Sequence, residues 1–99
     1  MWILESSGSA NGELTFRLPP GCIKTVGRAP RADFIVDVAL VSRLHCRLEA
    51  GDNNLDVIDL SSTNGTYVNG KRVKRARLTS GDRLRVGRVE LTVRRKGSA

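Results

Sequence analysis

Five residues of this chain could do chemistry together. Arg28 follows Gly27, Ser42 and Arg43 open the run Ser42-Arg43-Leu44-His45, and Thr63 and Asn64 lie within Ser61-Ser62-Thr63-Asn64-Gly65-Thr66. A guanidinium presents its donors as a planar fork that matches two oxygens of one phosphate. Serine and threonine hydroxyls add single donors, and an asparagine amide can pair with a peptide backbone. Glycines among them let the main chain approach a ligand closely. If the three segments converge, the kit suits a dianion carried on an extended chain.

The same residues offer little to other chemistries. His45 is the only histidine, and Ser42-x-x-His45 could be a nucleophile with its base. However, no acidic residue is placed to orient the imidazole, and no glycine-flanked nucleophile elbow is present. A hydrogen-bonded structural role for His45 is favoured, and no catalytic residue is assigned. If His45 and Cys46 share a strand they point to opposite faces, and Cys22 is the only other thiol, so no metal site is expected. Both cysteines read as buried unpaired thiols, and no cofactor is implied. Gly65, Gly70 and Gly81 read as turn glycines, Asp59 and Asp82 as makers of local turn hydrogen bonds.

These loops must be held by strands. Leu14, Phe16 and Leu18 alternate with Thr15 and Arg17; Cys46 and Leu48 repeat the pattern, as do Leu84 and Val86, then Val89, Leu91 and Val93. Shorter runs follow the same logic: residues 2–4, 22–26, 34–36, 45–49, 55–60, 66–68 and 72–73. Turn formers separate them: residues 6–12, Pro19-Pro20-Gly21, residues 50–54, and Asn69-Gly70, a strong hairpin signal because both residues tolerate positive φ. About ten short strands in 99 residues make an all-β sandwich or barrel with one modest core.

Composition bounds the rest. Hydrophobic residues are 39% and charged residues 27%, as in an ordinary globular domain; aromatics are only 4%, so the core must be aliphatic. No apolar run nears the ~20 residues of a membrane span, and residues 1–10 lack a basic leader. A cytoplasmic location is expected. Charge is uneven: residues 1–70 carry six basic and eight acidic side chains, residues 71–99 eleven basic and two acidic. For this basic third, protection of exposed strand edges ranks first, steering of acidic peptides second and nucleic-acid binding third. Tyr67, just before it, is the only aromatic in the region, which leaves no stacking platform for bases.

Four blocks occur in order: Gly27-Arg28; Ser42-Arg43-Leu44-His45; Ser62-Thr63-Asn64-Gly65-Thr66 with Val68-Asn69-Gly70; and Leu78-x-x-Gly81-Asp82-x-Leu84-x-Val86-Gly87. Together they resemble the forkhead-associated (FHA) domain, from about Trp2 to Val93, with no departure at the motif positions. The resemblance implies a sandwich of two twisted, mainly antiparallel sheets of ten to eleven strands, spanning residues 1–94 with a short basic tail at 95–99. It implies a module, most often monomeric, that docks onto phosphothreonine in proteins modified by Ser/Thr kinases. Arg28, Ser42, Arg43 and Thr63 would contact the phosphothreonine, and Asn64 the peptide main chain. Gly27, His45 and Gly65 would shape the loops, and Asn69 would support the loop of Asn64. Apolar Leu40 and Val41, just before Ser42, suggest an apolar side chain a few residues past the phosphothreonine. The alternative is an FHA-like scaffold that binds protein or nucleic acid, independently of phosphate, through its basic C-terminal surface.

Overall fold

The computed structural model describes residues 1–6 and 14–96. Eleven strands form two sheets: β1 (Trp2–Ser6), β2 (Thr15–Leu18), β3 (Ile23–Gly27), β4 (Phe34–Ile35), β5 (Cys46–Ala50), β6 (Leu55–Asp59), β7 (Thr66–Val68), β8 (Lys71–Val73), β9 (Arg75–Leu78), β10 (Arg83–Val86) and β11 (Val89–Arg95). The six-stranded sheet runs β2-β1-β11-β10-β7-β8 and the five-stranded sheet β4-β3-β5-β6-β9. Every pairing is antiparallel except β3 with β4. The expected all-β sandwich is therefore the fold.

The period-two patterns set its two faces. Phe16 and Leu18, Cys46 and Leu48, Leu84 and Val86, and Leu91 and Val93 point inward and are buried, while Thr15, Arg17, Thr92 and Arg94 face solvent. The core is aliphatic, with seven leucines of at most 1% exposure: Leu4, Leu18, Leu48, Leu55, Leu78, Leu84 and Leu91. Each buried leucine contributes about 1.5–3 kcal/mol of transfer free energy. Phe16 and Phe34 stack with ring centroids 4.4 Å apart, joining β2 of one sheet to β4 of the other.

One strand was not foreseen. Residues 75–78 (Arg-Ala-Arg-Leu) read as part of a basic cluster, yet they form β9 at the edge of the five-stranded sheet. The chain switches sheets between β8 and β9 through Lys74 alone. Arg95, expected in the short basic tail, belongs to β11, where it lies 5.6 Å from the Trp2 ring and donates to the Asp52 carbonyl. Most of the predicted turn at 6–12 lies outside the described residues.

Topology gathers the loops. Val26, Cys46 and Asp59 are register partners across β3, β5 and β6. Because these strands are antiparallel, the end of β3, the start of β5 and the end of β6 share one margin of the sheet. The segments 28–33, 36–45 and 60–65 therefore emerge together. In the other sheet Val86 pairs with Thr66, which puts the β10–β11 turn at the same end.

Candidate functional site

The three loops are pinned to one another by hydrogen bonds. The Arg28 N–H donates to the Ser42 carbonyl at 2.9 Å and the Ala29 N–H to the Arg43 carbonyl at 3.1 Å. This close pairing explains Gly27: a Cβ there would collide with the Arg43 carbonyl oxygen. The Thr63 N–H donates to Ser42 Oγ at 3.0 Å, and Asn64 Nδ2 donates to the Leu40 carbonyl at 3.0 Å. The loop after β6 is thereby tied to the loop before β5.

His45 braces this arrangement from below. Its ring is fully buried; Nδ1 accepts the Ser42 N–H at 3.0 Å, and Nε2 donates to the Gly65 carbonyl at 2.8 Å. Because the first partner is a donor and the second an acceptor, the ring is the Nε2–H tautomer. The imidazole meets the main chain of Ser42, not its hydroxyl, so the Ser–His pairing is structural, as the sequence reading favoured.

Beneath the Asn64 loop lies a partly buried polar knot. Asp59 Oδ1 accepts the hydroxyls of Ser62 (2.5 Å) and Thr66 (2.7 Å), Oδ2 accepts the Ser62 N–H at 3.2 Å, and Ser62 Oγ accepts the Gly65 N–H at 3.0 Å. Burial pushes the Asp59 carboxyl up, but the Ser62 and Thr66 donors outweigh it and hold the group below the usual carboxylate value. The local turn bonds expected of Asp59 are thus the foundation of the loop. Ser62 and Thr66 were not singled out as its partners, although an aspartate three residues before a serine in a turn-rich run signals such a knot.

Above these braces lies a cleft of about 420 Å³ lined by Arg28, Ala39, Leu40, Val41, Ser42, Thr63 and Asn64. Four of the five predicted ligand contacts meet in it, and no acidic residue lines it. Arg28 Nε is anchored on the Val41 carbonyl at 3.0 Å, which fixes the guanidinium and leaves its terminal nitrogens to donate outward. Ser42 Oγ accepts from the loop, so its own hydrogen remains to donate. Asn64 spends its NH2 on Leu40 and keeps its carbonyl oxygen to accept a peptide N–H. Arg43 is exposed and does not line the cleft.

Two features were not legible in advance. Leu40 adopts φ +75, a left-handed conformation rare for a branched side chain, while its carbonyl receives Asn64. Gly87, in the β10–β11 turn, backs the same segment: a Cβ there would press on Val41 Cγ2 and the Leu40 carbonyl group. Asn69 does not support the Asn64 loop through its side chain. Nδ2 donates to Asp82 at 3.0 Å and Oδ1 accepts the Arg83 N–H at 2.9 Å, because the β7–β8 turn lies at the far end of β7 from Asn64.

Comparison with known proteins gives consistent findings. The family model described as the FHA domain matches residues 24–87. The ABC transporter ATP-binding/permease protein Rv1747 of Mycobacterium tuberculosis is 40% identical over 80 residues, which cover 81% of this chain and 9% of that relative. The FHA domain of the CT664 protein from Chlamydia trachomatis superposes with a TM-score of 0.90 at 26% identity, covering 97% of this chain and 98% of that one. A domain solved in a structural and functional study of phosphothreonine-dependent FHA domain interactions is 30% identical, with a TM-score of 0.84 and 98% of both chains covered.

Proposed function

This chain belongs to the FHA domain family, and from that membership we propose that it reads phosphothreonine on proteins modified by Ser/Thr kinases. The observation that carries the proposal is the cleft itself, where an anchored Arg28, the Ser42 hydroxyl, Thr63 and Asn64 line one hollow without an acidic neighbour. A phosphothreonine carries about −1.5 to −2 charges at neutral pH. In this reading the Arg28 guanidinium and the Ser42 hydroxyl take phosphate oxygens, and Thr63 contributes its hydroxyl. Asn64 Oδ1 accepts a main-chain N–H of the peptide. Arg43, one residue beyond Ser42 and exposed, reaches the phosphate from the rim.

The protein acts as a monomeric binding module in the cytoplasm, and catalysis is not part of this role. His45 is occupied at both ring nitrogens by main-chain groups, which leaves the Ser42 hydroxyl without a base. A kinase writes the mark, a phosphatase erases it, and the domain responds to its presence. The exposed Leu40 side chain on the cleft wall favours an apolar residue a few positions past the phosphothreonine.

The test is titration with a degenerate phosphothreonine library, its phosphoserine twin and its unphosphorylated form, at two salt concentrations. Binding of the phosphothreonine form is expected, with Arg28→Ala and Ser42→Ala each lowering affinity. Loss of one partner of a desolvated charge pair costs about 2–5 kcal/mol, or roughly thirty- to several-thousand-fold for Arg28. Equal binding of all three forms with a steep salt slope would defeat the reading and direct attention to the basic C-terminal surface.

A further inference from the structure

Beside the same loop lies a second hollow, of about 670 Å³, lined by Asp59, Ser61, Ser62, Arg72, Val73 and Lys74. Among the described residues some arginines are held in ion pairs and others, such as Arg17, Arg31 and Arg83, are not. Arg47 pairs with Glu49, Arg75 and Arg77 pair with Asp56, and Arg94 pairs with Glu5. Among the described residues neither Arg72 nor Lys74 has an acidic partner within ion-pair distance, though both are exposed and one acid lines the hollow. That acid, Asp59, already accepts the Ser62 and Thr66 hydroxyls and the Ser62 N–H. These neutral donors hold the carboxylate in place without cancelling its charge, so the hollow sets two cations against one anion.

The position is as informative as the charge. Arg72 lies against the backbone of Gly65, its Nε close to where a Cβ of that residue would stand. Gly65 directly follows Asn64, the residue assigned to the peptide main chain. An extended peptide advances about 3.3–3.6 Å per residue, so a chain passing Asn64 comes within reach of Arg72 in a few residues. Ser61, at the lip, holds φ +57, a left-handed conformation uncommon for serine. Its hydroxyl makes no hydrogen bond among the described residues, which leaves it available to a ligand.

We propose that Arg72, Lys74 and Ser61 form a second anion subsite, which takes a second phosphate or a carboxylate carried on the same phosphopeptide a few residues from its phosphothreonine. The subsite rests on the phosphopeptide reading above and extends it: the protein would respond most strongly to doubly modified or acid-flanked sequences. Two cations and a hydroxyl suit a phosphate dianion better than a single carboxylate charge.

The experiment measures Kd for a phosphothreonine peptide in which phosphoserine, glutamate or alanine is placed in turn at each of the four positions on either side. The proteins are the wild-type chain, Arg72→Gln/Lys74→Gln, Arg28→Ala, and the charge-matched control Arg17→Gln/Lys96→Gln. At one or more positions phosphoserine is expected to tighten wild-type binding by about fivefold or more, as charge-assisted hydrogen bonds allow. Glutamate at that position gives a smaller gain if carboxylates are also accepted. The gain disappears in Arg72→Gln/Lys74→Gln and survives in the control, while affinity for the singly phosphorylated peptide changes less than about twofold in either. The proposal is overturned by an equal gain in Arg72→Gln/Lys74→Gln, by its loss in the control as well, or by no gain anywhere while the singly phosphorylated peptide still binds. Failure of the singly phosphorylated peptide to bind, with Arg28→Ala indistinguishable from wild type, overturns the phosphopeptide reading and the subsite with it.

Discussion

Gly27 is held by sterics. A Cβ there has nowhere to go but into the Arg43 carbonyl oxygen, and that carbonyl cannot retreat without releasing the Ala29 N–H it accepts. Gly27→Ala is therefore expected to destabilise the fold by about 1–3 kcal/mol or more. It should also weaken phosphopeptide binding, because Arg28 and Ser42 are set by the same pairing. Thermal melting and peptide titration read the two effects, and a variant with unchanged melting and binding would contradict this account. His45 acts similarly through its neighbours, since its ring joins the Ser42 N–H to the Gly65 carbonyl. Single residues of this kind show in a sequence as types without roles: a glycine before an arginine, a histidine three residues after a serine.

Strands β8 and β9 show how the basic third of the chain is used at the scale of elements. They form free edges of the two sheets and carry Lys71, Arg72, Arg75 and Arg77. Arg75 and Arg77 both reach Asp56 on β6, at 3.2 Å each, which ties the edge strand to its neighbour while charging its exposed side. An uncharged edge is a template for pairing with another chain. Arg75→Val/Arg77→Val is thus expected to raise light scattering on concentration or mild heating and to leave the monomer's strand content intact. Scattering no greater than wild type would remove the edge-protection role. β9 escaped the sequence reading because Arg-Ala-Arg-Leu offers one small and one large apolar residue at alternate positions, too little for a period to register against five nearby cations.

At the scale of the whole molecule, four carboxyls hold the structure to a common pH limit. For Asp56, Asp59 and Asp82, burial pushes the carboxyl up, but hydrogen bonds and nearby arginines (Arg75 and Arg77 for Asp56) bring each below the ordinary 3.8. Asp33 is lowered by the Thr25 N–H and hydroxyl. Folded values below the unfolded value mean that the unfolded chain takes up protons first. The stability these groups add is complete above about pH 5 and is lost as pH falls through their folded values. The melting temperature should be flat from neutral pH to about 5 and fall steeply below 4, and Asp59→Asn should melt lower at neutral pH with a shallower acid decline. An unchanged acid slope in that variant would exclude Asp59 from the effect. At the other extreme, burial raises the Cys46 thiol to about 12, so it remains an unreactive core residue.

What the sequence determined by itself was the kind of fold and the composition of the site. Period-two alternation is a local property, so ten of the eleven strands and their inward faces are legible one segment at a time. The ordered blocks named four of the residues that line the cleft, Arg28, Ser42, Thr63 and Asn64, whose donors are of the types that suit a phosphate. Only the tertiary structure decided which strand lies beside which, and with that every relation across the loops. The Gly27 contact with Arg43, the left-handed Leu40 facing Asn64, the placement of Asn69 with Asp82, and Arg72 against Gly65 all follow from strand order and register. The physical reason is that they join residues far apart in the chain, and the free energy of such contacts depends on positions that no local pattern encodes.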